Sequence, residues 1–313
     1  MKFIADFQEG DKITAHYLCK KKETKKTKAG KNYLNVILSD KTGTIDCKVW
    51  ELNNHIQHFE TGDFIKVEGN ISIYNEEFQM SASKIRKSIP GEYLPIDYMP
   101  STEKNIDDMF TGIEELIASV ENEHLFKLLS AIFIENDEIS EAFRRHSAGK
   151  NMHHGYMGGL CEHILSVARL CDFLAPKYKF VDRDLLVTAA LLHDIGKLYE
   201  LSPFPTNDYT DEGQLIGHII IGYGLVQKES EKIEGFPEKL RSLLLHCILS
   251  HHGKREFGSP IEPRTMEACI LSYADISDAH IKMFEELLAK APANSEWSQY
   301  SKVLGRELRK TIY

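Results

Sequence analysis

The hydrophobic period of this chain changes once, across residues 86–105, where Pro90, Pro95 and Pro100 are spaced at five-residue intervals. Proline fixes φ and removes an amide donor, so a segment punctuated in this way resists regular structure and reads as a linker. Before it, apolar and polar residues alternate in short runs: Lys12 to Cys19, Tyr33 to Leu38, Thr44 to Trp50, then a hairpin of Phe64 to Tyr74 and Glu77 to Ala82 around Asn75-Glu76. Five such strands without a long helical pattern predict a small closed barrel or sandwich. After the segment the period is that of an α-helix, and helices are expected at 106–120, 123–134, 160–175, 183–198, 214–233, 237–252, 264–289 and 297–310. Asp182 ahead of Arg183, Pro237 at a helix start and Gly253 after His252 are the matching boundary signals. The expected organisation is multidomain, β followed by all-α: a barrel at 1–88, a proline-containing linker at 89–105 and a helical domain at 106–313.

Composition narrows the class. At 42% apolar and 27% charged residues the chain is an ordinary globular one, which excludes a fully disordered protein. No apolar run approaches the ~18 residues of a membrane span, and Asp6 and Glu9 interrupt any signal-peptide core. The six cysteines form no C-x-x-C pair and read as reduced, mostly buried thiols of a cytoplasmic protein. Charge is unevenly placed. The chain carries −9 overall, yet residues 20–31 hold seven lysines and one glutamate. A local basic patch on an acidic protein points to a placed anion contact, with the alternative of a solvated loop.

Ten of the fourteen histidines fall between His146 and His280, and their placement matters more than their number. His163 sits among Leu160, Ile164, Val167 and Cys171; His193, with Asp194 beside it, follows Leu186, Ala189 and Ala190. Leu215 and Ile219 flank His218; Leu240, Leu244, Cys247 and Ile248 lead to His251 and His252; Ala268 and Leu271 lead to Asp275, with Asp278 one turn on. Five successive helices thus carry an imidazole or a carboxylate on the face that should be buried. Unpaired buried carboxylates are very costly. A metal centre held from facing helices satisfies the whole set, whereas any one of these histidines alone reads more simply as a hydrogen-bonded core residue.

His163, then His193-Asp194, then Asp275 resembles the H…HD…D signature of the HD-domain metal-dependent phosphohydrolases. His193-Asp194-Ile195-Gly196-Lys197 matches their H-D-x-G-K form, Gly158-Gly159-Leu160-Cys161-Glu162 ahead of His163 also fits, and His218 with His251-His252 resembles the added histidines of two-metal members. Taken whole, an OB-like barrel followed by an HD domain (core about 155–285) resembles the YhaM-type 3′-5′ exoribonucleases of Gram-positive bacteria. The resemblance implies that His163, His193, Asp194 and Asp275 hold a first metal ion, and that Asp194 bridges to a second held by His218 and by His251, His252 or both. Paired ions can activate water and clamp both oxygens of an in-line phosphoryl displacement. An imidazole-rich site disfavours Mg2+; Mn2+ is the working choice among Mn2+, Fe2+, Co2+ and Zn2+.

Around that centre, Lys197 lies one turn after His193 and is a candidate to neutralise a phosphate oxygen, or else a helix-end lysine. His153-His154-Gly155-Tyr156 is a loop that could contact the scissile phosphate or a terminal base, with His154 as its catalytic candidate, and Asp278 could orient a metal ligand. In the barrel, Lys25, Lys26 and Lys28 of the basic loop supply a cationic track, and Tyr33, Trp50 and Tyr74, with Phe78, are candidate stacking platforms, although strand aromatics are more often core. These features point to a hydrolase that shortens single-stranded RNA from its 3′ end and releases 5′-mononucleotides. RNA comes from the resemblance, and single-stranded DNA stays open. A homo-oligomer also stays open, and no membrane contact is expected. Two other classes compete: a nucleotidase or cyclic-nucleotide phosphodiesterase with a regulatory barrel, and a non-catalytic binder of single-stranded DNA or RNA. The Gly-Tyr-Pro of cyclic-dinucleotide enzymes is missing after His252, where the chain runs Gly253-Lys254-Arg255.

Overall fold

Five strands close on themselves in the order β1-β2-β3-β5-β4, with β4 returning to β1. They are β1 (Lys12–Lys26), β2 (Asn32–Asp40), β3 (Gly43–Val49), β4 (Phe64–Tyr74) and β5 (Glu77–Lys87). All neighbours are antiparallel except β3 and β5, which run parallel. The computed structural model describes residues 2–27, 29–75, 77–150, 154–292 and 295–312, and the chain divides into two units, Met1–Ser101 and Thr102–Tyr313.

One long strand makes closure possible. The first half of β1 pairs with β4, from Lys12 opposite Asn70 to Leu18 opposite Phe64. Its second half pairs with β2, from Lys21 opposite Ile37 to Lys26 opposite Asn32, after a bulge between Cys19 and Lys21. Such a bulge bends a strand and increases its twist, which lets one strand serve two neighbours. Alternation then directs Ile13, Tyr17, Val36, Cys47, Ile65, Val67 and Met80 into a dry interior. The lysine run is therefore not a loop. Lys20 to Lys26 lie in β1, and Lys21 to Lys26 pair with β2. The long hairpin outcompetes a loop because Leu34 and Val36 on the facing strand have the barrel core to enter. Residues 89–98, expected as linker, lie against the barrel: Glu92 accepts from Arg86 Nη1 and Nη2 at 2.8 and 2.7 Å, and Tyr93 stacks on Phe64 at 4.2 Å.

The second unit is helical: α1 (Ile106–Ala118), α2 (Glu123–Phe133), α3 (Asp137–Arg145), α4 (Gly159–Leu174), α5 (Arg183–Leu192), α6 (Lys197–Glu200), α7 (Asp211–Ile216), α8 (His218–Glu231), α9 (Glu238–Ser250) and α10 (Met266–Ala289). Caps lie where short polar side chains allow. Asn105, Asn122, Asn136, Asp182 and Thr265 each accept from a first-turn amide. The core is built on α4 and α5, whose Leu160, Ile164, Val167 and Cys171 meet an α5 buried along Leu185–Leu192.

Three expectations are corrected, and one helix was not expected. The helix expected at 183–198 stops at Leu192, and the one at 214–233 is broken at Gly217, whose φ of 79° and ψ of 152° are not helical. α3 was not among the expected helices: it is short and mostly polar, and buries only Ile139 and Phe143. Residues 297–310 form no helix; they pair as two isolated bridges, Trp297 with Arg309 and Ser301 with Arg306. Here serine hydroxyls compete with helix formation: Ser298 accepts from Leu308 N at 2.9 Å and Ser301 from Leu304 N at 3.2 Å.

Candidate metal centre

The end of α5 sets the centre. An unbroken helix would rotate His193 and Asp194 about 100° apart. Instead the chain turns at residues 193–196, with Lys197 N bonded to Asp194 O at 2.9 Å, and both side chains face the same space. His163 arrives from α4, Asp275 from α10, His218 from the first position of α8, and His251 and His252 from just beyond α9. His163, His193, Asp194 and His251 are at most 1% exposed and Asp275 is 9% exposed.

Two groups of donor atoms result. His163 Nε2 lies 3.3 Å from His193 Nε2, 3.2 Å from Asp275 Oδ1 and 3.4 Å from Asp194 Oδ2. On the other side of the same carboxylate, Asp194 Oδ1 lies 3.5 Å from His218 Nε2 and 3.6 Å from His251 Nε2. His218, His251 and His252 can each offer one atom within 4.8 Å of the others. Asp194 thus presents one oxygen to each group.

The opposite ring nitrogens are all held. His193 Nδ1 is bonded to Ala190 O (2.8 Å), His251 Nδ1 to Ile248 O (2.6 Å), His252 Nδ1 to Phe257 O (3.0 Å), His218 Nδ1 to Glu200 (2.9 Å) and His163 Nδ1 to Asp278 (2.8 Å). A hydrogen bond at Nδ1 fixes the ring and leaves Nε2 as the free donor, the usual support of a metal-bound histidine. What these Nε2 atoms meet is the test of fit. Asp194 Oδ1, His218 Nε2 and His251 Nε2 are buried and make no hydrogen bond. Each such orphan costs about 1–3 kcal/mol unless something satisfies it, and a cation between them would satisfy all three. The imidazole and carboxylate donor set fits divalent ions of borderline hardness.

At His193 and His252 electrostatics agree with that fit. Burial pushes His193 down to about 3 and His252 down to about 4, the latter helped by His251 and His218, so both rings are neutral and ready to ligate. His163 is opposite in sign: burial opposes its charge, but Asp194, Asp275 and Asp278 around it hold its pKa well above the ordinary value. Despite burial, which favours their neutral forms, Asp194 is held well below the usual range by Lys197 and the histidines, and Asp275 by His163.

Lys197 is 9% exposed, with Nζ 2.6 Å from Asp194 Oδ2; burial would depress its pKa, yet Asp194 raises it, so the ammonium is kept. His154 is corrected. It is 2% exposed, and both ring nitrogens are engaged, Nδ1 with Tyr156 Oη at 3.0 Å and Nε2 with Asp278 at 3.0 Å, so it stands behind His163 and presents nothing to a phosphate. Its neighbour His153 lies outside the described residues. Sequence reasoning missed Glu200, which holds both the ring and the amide of His218 (2.9 and 3.0 Å); a residue at the end of a four-residue helix leaves no periodic signal.

In the barrel, Lys25 stands opposite Tyr33 in the strand register. Tyr33 packs on Trp50, ring centroids 4.8 Å apart, and Trp50 is 44% exposed just beyond β3. Tyr74 and Phe78, on the β4–β5 hairpin, are also exposed. Lys26 ends β1, and Lys28 lies outside the described residues. Lys25 is partly neutralised by Glu23 at 3.2 Å.

These two sites match known families. Residues 160–280 match the HD domain family and residues 20–87 the OB-fold nucleic acid binding domain family. The chain is 31% identical over 314 aligned residues to the 3′-5′ exoribonuclease YhaM of Geobacillus sp. (strain WCH70), covering 100% of this chain and 96% of the relative. It is 32% identical over 289 residues to the proteins of that name from Listeria innocua serovar 6a and from Bacillus pumilus, covering 92% of this chain and 91% of each relative. With a match that spans both the barrel and the helical unit, the chain belongs to the YhaM 3′-5′ exoribonuclease family.

Proposed function

We propose that this protein removes nucleotides one at a time from the 3′ end of single-stranded RNA, as a metal-dependent phosphodiesterase whose barrel holds the strand. The observation that carries the reading is the trio of buried, unsatisfied atoms on Asp194, His218 and His251, facing one another in a chain of this family. His163, His193, Asp194 and Asp275 would hold one divalent ion, and Asp194, His218, His251 and His252 a second. Mn2+ is our assignment, on the preference of imidazole-rich sites for such ions over Mg2+. Bound there, the ions would supply a hydroxide nucleophile at neutral pH and neutralise phosphate charge.

The chain's own residues do the rest. Asp194 presents its two oxygens to the two groups, and Glu200, Asp278 and the carbonyls of Ala190, Ile248 and Phe257 keep the rings from turning away. Lys197 supports a fixed positive charge beside Asp194, where the charge of a phosphoryl transition state develops. Hydrolysis puts the water oxygen on the terminal phosphorus, breaks its bond to O3′ and leaves a proton there, releasing a nucleoside 5′-monophosphate. In the barrel, Lys25 and Lys26 would follow the backbone while Tyr33, Trp50 and Tyr74 stack on bases, a sequence-tolerant mode of binding single strands. Six free cysteines, five of them buried, favour a cytoplasmic setting. Among the described residues no helix is long and apolar enough to cross a membrane.

The test uses 5′-labelled single-stranded RNA with protein stripped of metal and reloaded with Mn2+. A ladder shortening from the 3′ end and abolished by chelator is expected. RNA that is bound but left intact would replace the exonuclease by a binding protein, and RNA neither bound nor cut would turn the search to free nucleotides.

A further inference from the structure

Behind His163 runs a line of buried and half-buried polar side chains, of which the chemistry above uses only Asp278. Asp278, on α10, takes three donors: His163 Nδ1 at 2.8 Å and His154 Nε2 at 3.0 Å on Oδ2, and the Ser166 hydroxyl on Oδ1. His154 Nδ1 meets the Tyr156 hydroxyl at 3.0 Å, and that hydroxyl meets Glu162 Oε2 at 3.0 Å. Glu162 is 4% exposed; Thr102 donates to its Oε2 at 2.6 Å, and Lys104 and Lys282 reach its Oε1 at 3.1 and 3.2 Å. The line thus begins at an anchored carboxylate and ends on a candidate metal ligand. It is also built at a cost in backbone geometry. His154 has φ of 58°, in the left-handed region that non-glycine residues avoid, and its carbonyl is held by Ala148 N at 3.0 Å. Gly159 is the matching accommodation, because a β-carbon there would overlap the His154 carbonyl and lie 3.1 Å from its Cβ.

We propose that His154 and Tyr156 are positioning residues for the metal centre. They form a hydrogen-bonded strut from Glu162 to Asp278 that holds Asp278, and through it His163, in metal-binding orientation. The inference rests on the metal reading above. A histidine ligand with its far nitrogen pinned by a carboxylate loses less freedom on binding, and such supporting contacts are typically worth about 10- to 100-fold in metal affinity. His154, His163 and Asp278 also lie close enough to hold an ion themselves. That alternative would need both nitrogens of His163 as donors to metals, whereas a neutral imidazole has only one free lone pair.

The test titrates the metal-free full-length protein with Co2+, following heat and the visible cobalt spectrum without RNA. His154→Ala and Asp278→Asn are expected to weaken Co2+ binding about tenfold or more and to alter the spectrum. Tyr156→Phe, which keeps the ring and its packing, is expected to weaken it severalfold. Adding Tyr156→Phe to His154→Ala should cost nothing further, since both act through one line. His154→Gln, whose amide restores an N–H toward Asp278, should recover most of the affinity. Wild-type affinity and spectrum in both His154→Ala and Tyr156→Phe would overturn the strut, as would one equivalent of Co2+ lost outright in His154→Ala with the others unmoved. Wild-type protein that takes up no Co2+ would instead overturn the metal reading on which the strut depends.

Discussion

Gly196 and His218 meet backbone to backbone: a β-carbon on Gly196 would overlap the carbonyl oxygen of His218 and stand 2.6 Å from the amide nitrogen of Gly222. This approach seats the start of α8 on the turn that carries Asp194, and it places His218 Nε2 3.5 Å from Asp194 Oδ1. Gly196→Ala is expected to lever α8 away while leaving the donors from α4, α5 and α10 in place. Bound metal should fall from two ions to one per chain, and exonuclease turnover should drop about 100-fold, the scale of a misplacement near 1 Å. Metal analysis and single-turnover cleavage would check both. Two bound ions and full turnover in a folded Gly196→Ala protein would show that the approach does not matter.

The ion pair of Asp194 and Lys197 makes a separate prediction. Asp194→Asn leaves a buried ammonium without its carboxylate, and breaking one side of a buried pair costs about 3–5 kcal/mol. Denaturant unfolding of the metal-free variant should show that loss. Asp194→Asn combined with Lys197→Met should regain most of the stability, because no charge is then stranded, yet remain inactive. Cleavage by the double variant would refute the role of Asp194 between the two donor groups.

For the barrel, Trp50→Ala removes a half-exposed ring packed against Tyr33. Loss of one stacked base is worth about 1–3 kcal/mol, or roughly 5- to 150-fold in affinity, with little change in salt dependence. Lys25→Ala with Lys26→Ala should also weaken RNA binding, but with a flatter salt slope, since fewer counterions are released. Fluorescence anisotropy at several salt concentrations separates the two. An unchanged affinity in Trp50→Ala would move the binding surface elsewhere on the barrel.

A pH dependence follows from Glu92, whose hydrogen bonds from Arg86, then from the Ile89 amide, hold its pKa at about 2 against an ordinary 4.5. A carboxylate depressed on folding stabilises above its unfolded pKa and loses that contribution as pH falls through the folded value. Glu92→Gln should therefore unfold at lower temperature than wild type at pH 7, with the gap narrowing below pH ~4.5 and closing near pH ~2. Thermal melts of the two proteins across that range give the answer. A gap independent of pH would mean that the loss comes from shape and not from charge.

Much of this molecule was legible because burial imposes periodicity. Alternation in the first 88 residues and the 3.6-residue repeat after residue 105 carried the β and α units. The candidate ligands His163 and Asp275 stood out because they fall on stripes that have to be dry, whereas the stripe read from Leu215 to His218 is broken at Gly217 and leaves Leu215 85% exposed. The periodic pattern misled where a local competitor was at work. Serine hydroxyls at 298 and 301 took the amides that a helix at 297–310 needed, and the lysine run looked like a loop because nothing in its composition shows that β2 pairs with its backbone.

Sequence alone determined the two classes of unit and the residues able to ligate, since both depend on which side chains tolerate burial. Tertiary structure decided which atom of each residue faces inward. The turn after Leu192 splits the oxygens of Asp194 between two groups, the carboxylates of Asp278 and Glu200, distant in sequence, pin Nδ1 of His163 and His218, and His154 is set behind His163 instead of toward a phosphate. Those outcomes arise from contacts between residues far apart in the chain, such as Asp278 with His163 and His218 with Glu200, and no local pattern encodes a contact of that kind.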